Sequence, residues 1–124
     1  MSKRRVVITG LGAVTPLGLN AADSWKAVRE GGCGIAPITQ YDTTDRAVTL
    51  AAEGMGFDPD ALFGKAEAKR MDRYCHFAIA AAKEALEASG IKKEEIDPVR
   101  CAVIVSSGIG GFSTIEAAKM RALE

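Results

Sequence analysis

Apolar residues follow two rhythms along this chain: short β-branched runs, and longer stretches with an apolar position every three or four residues. Residues 5–9 hold Val6, Val7 and Ile8 and are closed by Gly10, which predicts a buried strand. Residues 10–18 form a turn punctuated by Gly10, Gly12 and Gly18. A first helix follows, with Asn20 as its cap, Asp23 three residues on and Gly31-Gly32 as its stop. Trp25 and Val28 share one of its faces, while Lys26 and Glu30 pair opposite charges on the exposed side. Residues 35–41 read as loop because Pro37 interrupts them, and residues 47–52 as an edge strand ended by Gly54 and Gly56. Asp58-Pro59 opens a short helix through Leu62 and Phe63, which Gly64 stops.

The strongest signal is a helix over residues 66–89. Met71, Tyr74, Cys75, Ala78, Ala82, Ala85 and Leu86 form its apolar stripe, and Asp72, Arg73, Lys83, Glu84 and Glu87 lie largely off it. Ala80, Ala81 and Ala82 leave room for another helix to approach closely, and Gly90 suits the position after the last turn. Residues 91–100 are a polar connection. Residues 101–105 are a second buried strand, followed by a turn through Ser107-Gly108-Ile109-Gly110-Gly111. A last helical pattern starts near Phe112 and runs through Ile115, Ala118, Met120 and Leu123. Strand, glycine turn and helix, met twice, predict a layered α/β architecture, and wholly apolar strands predict a sheet covered on both faces.

Composition narrows the function. Hydrophobic residues are 48% and charged residues 26% of the 124, an ordinary globular mixture. Lys+Arg and Asp+Glu are 16 each, so no global field holds nucleic acid or an anionic bilayer. No apolar run is long and unbroken enough for a membrane span, and no signal-type segment follows the basic start. Cys33, Cys75 and Cys101 are odd in number and widely spaced, which fits reduced thiols in a cytoplasmic protein. With one His and no paired ligands at metal-site spacing, neither a metal nor a cofactor is expected.

Few residues offer chemistry. Gly10-x-Gly12 is followed by Thr15 instead of a third glycine, and no Lys-Ser/Thr follows either glycine turn, so a dinucleotide or P-loop site is disfavoured. Cys75 and His76 are adjacent, but helical neighbours point about 100° apart and cannot form a nucleophile–base dyad. Cys75 therefore reads as core, and His76 as a surface or interface residue. Residues 65–73 carry Lys65, Lys69, Arg70 and Arg73 against Glu67 and Asp72. Two readings stand for them: a solvated helix start, or a small basic dock for an anionic partner. The turn at Gly108, Ile109 and Gly110 is similarly either structural or ligand-lining, since its glycines permit close backbone approach.

Taken together, the two glycine segments resemble a known family. Val6-Val7-Ile8-Thr9-Gly10-Leu11-Gly12-Ala13-Val14-Thr15-Pro16-Leu17-Gly18 is similar to the N-terminal signature of β-ketoacyl-acyl-carrier-protein synthases, most closely the type II fatty-acid condensing enzymes. Trp25, Gly34-Ile35, Tyr41-Asp42, Lys69-Arg70-Met71-Asp72 and Ser107-Gly108-Ile109-Gly110-Gly111 match the family in order.

The resemblance implies a thiolase-like fold of five layers, α-β-α-β-α, usually homodimeric, of which residues 1–124 are the N-terminal portion before the catalytic cysteine. It implies a decarboxylating Claisen condensation between an acyl thioester and malonyl-acyl-carrier protein. A cysteine nucleophile, two histidines and backbone amides carry that reaction. None of Cys33, Cys75 or Cys101 occupies the nucleophile position, so no catalytic residue is expected here. Lys69 and Arg70, with Lys65 beside them, match the surface that faces the acyl carrier protein. Ile109, between Gly108 and Gly110, matches a gate of the acyl pocket near the dimer interface. A polyketide ketosynthase or its non-catalytic chain-length partner shares these motifs; a free-standing scaffold and a nucleotide-binding module are the more remote alternatives.

Overall fold

The computed structural model describes residues 4–124. They divide into two units: residues up to Phe57 together with Ala81–Gly90, and Asp58–Ala80 together with Ile91–Glu124.

In the first unit, helix α1 spans Ala21–Arg29. Asn20 caps it as expected: its Oδ1 accepts from the Asp23 amide at 2.7 Å, and its Nδ2 donates to the Asp23 carboxylate at 2.7 Å. Before α1, Thr15 and Gly18 close a tight turn through N–H···O bonds of 2.8 and 3.2 Å. Buried Ser24 reaches back to it, its Oγ lying 2.8 Å from Thr15 Oγ1. Strands β1 (Ile35–Pro37) and β2 (Leu50–Ala52) pair antiparallel, with Ala36 opposite Ala51. The stretch expected to be loop at 35–41 thus begins as a strand. Both strands of a two-stranded ribbon are edges, where proline is admitted. Of the strand expected at 47–52, only the last three residues take that form.

The second unit starts with α2 (Pro59–Phe63), whose cap Asp58 accepts from the amides of Asp60 and Ala61 at 2.9 and 3.3 Å. Helices α3 (Lys65–Ala68), α4 (Arg73–Ser89) and α5 (Phe112–Ala122) follow, with one 3₁₀ turn at Lys93–Glu95. Helix α4 continues beyond Ala80 into the first unit. The single helix expected over 66–89 is therefore broken at 69–72. The Ala68 carbonyl accepts from the Met71 amide and from His76 Nε2, and the chain restarts at Asp72, whose carbonyl accepts from Cys75 and His76. Gly90 follows the end of α4 as expected.

The buried side of α4 also departs from expectation. Ala82 and Leu86 are exposed, Glu84 is half-buried, and His76, expected at the surface or an interface, is 6% exposed. Small residues decide this. A Cβ added at Gly12 would meet the carbonyl oxygen of Ala81 and lie 2.8 Å from the Ala85 nitrogen; one at Gly10 would lie 2.8 Å from the Ser89 nitrogen. Ala81, Ala85 and Ser89 are one turn apart, so they make a shallow track into which an extended glycine segment sinks. The close approach expected of the alanine run is made by that segment, not by a helix.

Neither residues 5–9 nor 101–105 form the buried strands expected. Val6 and Ile104 are 93% and 91% exposed. A strand needs a hydrogen-bonded neighbour, and among the described residues β1–β2 is the only sheet.

Candidate functional site

The basic segment and the second glycine turn, about 40 residues apart in sequence, meet in the second unit. Lys65 opens α3, while Lys69 and Arg70 lie in the break before α4; all three are exposed. Arg70 Nη1 is 3.1 Å from Glu67 Oε1, an exposed i, i+3 pair of little energetic weight. Lys69 and Arg70 are the two central residues of a turn closed by the Met71 amide on the Ala68 carbonyl at 3.3 Å. The turn therefore presents its cations outward, while its ends are held by backbone.

Asp72 joins this segment to the glycine turn. Thr114 Oγ1, in the first turn of α5, donates to the Asp72 carboxylate. Any side chain at Gly111 would run into that carboxylate. Gly111 caps α5 without a side chain of its own, so Asp72 supplies negative charge at the positive end of that helix. Gly110, at φ +81°, donates its amide to Ser107 Oγ at 3.0 Å, and a Cβ added there would lie 3.9 Å from the Tyr74 ring. The Tyr74 hydroxyl is held above its ordinary pKa, chiefly by its hydrogen bond with Cys75, then by the Cys75 charge, burial and Asp72. Gly108 is exposed, and Ile109 is 70% exposed.

The first glycine turn has a different occupant. Glu84 accepts from the Ala13 amide at 2.9 Å and from the Ala21 amide, the first of α1, at 2.8 Å. A nucleotide fold would direct such amides at a phosphate. Here a carboxylate of the chain itself holds them, and a phosphate brought to the same place would meet its charge.

The sequence model described as "Beta-ketoacyl synthase, N-terminal domain" matches residues 3–124. The chain belongs to that family. Relatives of this ketosynthase segment include proteins named 3-oxoacyl-[acyl-carrier-protein] synthase 2. That of Synechocystis is 40% identical over 94% of the chain and 28% of the relative. That of Vibrio cholerae is 40% identical over 100% and 30%, and that of Staphylococcus aureus 39% over 98% and 29%. The chain thus spans less than a third of the length of these curated relatives. A solved structure titled "The ishigamide ketosynthase/chain length factor" superposes with TM-score 0.84 at 29% identity, covering 98% of this chain and 30% of the other. The fold is that of a ketoacyl-synthase N-terminal domain.

Within this segment, Cys75 and His76 do not form a dyad: His76 Nε2 bonds the Ala68 carbonyl at 2.9 Å, and Nδ1 has no partner among the described residues. All three cysteines are free. Among the described residues no helix is long and apolar enough to cross a membrane. Among those residues, no group of three or more His, Cys, Asp and Glu is placed to hold a metal. Sequence reasoning missed Glu84 and His76. One counts as an off-stripe acid and the other as a surface or interface base, because periodicity reports apolar spacing, not which amide or carbonyl a side chain meets.

Proposed function

We propose that this chain is the N-terminal portion of an elongating β-ketoacyl-acyl-carrier-protein synthase of fatty-acid synthesis, within a thiolase-like α-β-α-β-α fold that works as a homodimer. In the complete enzyme a cysteine thiolate takes the acyl group from acyl carrier protein and releases the carrier thiol. Malonyl-carrier protein then loses CO₂, and the resulting carbanion attacks the acyl-enzyme thioester, expelling the cysteine and lengthening the chain by two carbons. Histidines and oxyanion-binding amides beyond this segment serve those steps.

The segment's own contribution is binding. Lys69 and Arg70, with Lys65 nearby, form the cationic dock for the acidic carrier, and Ile109 between Gly108 and Gly110 limits entry to the acyl pocket. The observation that carries this reading is the Asp72–Thr114 bond, through which the Lys-Arg-Met-Asp and Ser-Gly-Ile-Gly-Gly motifs meet in one place. A dock and a gate serve one substrate only if they are neighbours. The exposed runs at Val6–Ile8 and Val103–Val105 fit strands completed by the rest of the fold. The neighbour titled for a ketosynthase and chain length factor supports a paired assembly, and also a polyketide reading; relatives near 40% identity favour the fatty-acid one.

The full-length protein, given acyl- and malonyl-carrier protein, is expected to yield a β-ketoacyl product two carbons longer, with one CO₂ per turn. Repeated condensation on one primer would establish the polyketide reading instead. No condensation product at all would remove both. The isolated 124-residue chain is expected to form none.

A further inference from the structure

We propose that His76 is a positioning residue that fixes the Lys69-Arg70 turn for an acidic carrier protein, an inference that rests on the docking role given to that turn above. The imidazole is 6% exposed, and its Nε2 donates to the carbonyl of Ala68, the residue immediately before Lys69, at 2.9 Å. A carbonyl only accepts, so Nε2 is the donor in this bond. The same carbonyl closes the turn by accepting from Met71, with Lys69 and Arg70 between the two ends. His76 thus pins the anchor atom of the turn whose tip is the basic pair.

The ring itself is held firmly. It stacks on Phe63 at a centroid distance of 5.5 Å and an interplanar angle of 24°, and its own amide donates to the Asp72 carbonyl at 3.2 Å. Packing alone does not account for the residue. Nδ1 is buried without a partner among the described residues, which costs stability that an apolar side chain of similar size would avoid. What an apolar side chain could not supply is the donor to Ala68. Without it the carbonyl keeps only the longer Met71 bond, and Lys69 and Arg70 sample orientations a docked carrier must then select against.

The test uses the full-length protein with the donor-less variants His76→Leu and His76→Met, the second being adaptable enough to fold where a branched side chain is not. His76→Gln restores an N–H donor. For each, KM is measured with a carrier-linked and a small-thioester form of the same acyl group, and hydrogen exchange is read at the Met71 amide. Both donor-less variants are expected to raise the ratio of carrier to thioester KM about fivefold, the size of one ordinary hydrogen bond. They should also speed Met71 exchange, and His76→Gln should reverse both effects. Equal rises for the two substrates would show a merely structural residue and overturn the proposal, as would an unchanged ratio in both donor-less variants. Lys69→Glu with Arg70→Glu serves as the control. An altered ratio there beside an unaltered one at His76 overturns the positioning role alone, whereas an unaltered ratio in the control overturns docking by this turn and the proposal with it.

Discussion

Replacing Glu84 by alanine should loosen the first glycine turn and the start of α1 together. The carboxylate accepts from Ala13 and Ala21 at 2.9 and 2.8 Å, and so bonds both segments to α4. Charge-assisted hydrogen bonds contribute about 1.5–3 kcal/mol each. Glu84 is only half-buried, so water regains part of each amide, and the lower end applies: about 3 kcal/mol for the two bonds. That corresponds to about a hundredfold faster amide exchange across residues 13–21 in Glu84→Ala. Glu84→Gln keeps one acceptor oxygen and should show about tenfold. Glu87→Ala, an exposed acid on the same helix, is the control and should leave this segment unchanged. Hydrogen–deuterium exchange resolved at residues 13–21 reads the effect directly. Unchanged protection in Glu84→Ala, or identical behaviour of the alanine and glutamine variants, would refute the assignment of two separate bonds.

Further outcomes follow from the same contacts. In the full-length protein, Ile109→Phe should suppress long acyl primers while sparing short ones and Ile109→Ala should relax the limit; a flat kcat/KM profile with a lowered Tm would leave Ile109 as packing alone. Asp42 accepts from the Thr44 hydroxyl at 2.6 Å and the Thr44 amide at 3.0 Å, which hold its pKa below the ordinary 3.8. A depressed carboxylate stabilises the folded state above its unfolded pKa and loses that contribution as pH falls through the folded value. Thr44→Val should therefore raise the Asp42 titration seen by NMR, and an unmoved midpoint would contradict the cause. The isolated chain should melt broadly or associate, because Val6, Ile8, Val103 and Ile104 are each more than four-fifths exposed. A sharp cooperative melt from a clean monomer would count against that.

What the sequence made legible was local. Asn20, Asp58 and Gly90 act within a few residues of themselves, and all three mark helix ends where expected. Residues 5–9 and 101–105 do not take strand form here, because β-branched composition records a preference, whereas a strand exists only through its neighbour. The periodicity over 66–89 predicts one continuous helix because nothing in it reveals that His76 takes the Ala68 carbonyl. The candidate site divides similarly. Lys65, Lys69, Arg70 and the Gly108-Ile109-Gly110 turn stood out as motifs, but their meeting depends on Asp72 and Thr114, 42 residues apart. Spacing along a chain carries no sign of such a contact. Glu84 escaped for the same reason: a half-buried carboxylate and a solvated one are the same letter.

The most direct test of the docking and condensing account is the ratio of KM for carrier-linked over small-thioester substrate in the full-length protein, with and without Lys69→Glu and Arg70→Glu, at low and high salt. Exposed charges act over about 10 Å at 0.1 M ionic strength and about 3 Å at 1 M. The account predicts that charge reversal raises the ratio by about tenfold or more at low salt, and that the difference shrinks as salt screens the contact. A ratio that charge reversal leaves unchanged, or that rises equally at every ionic strength, would contradict it.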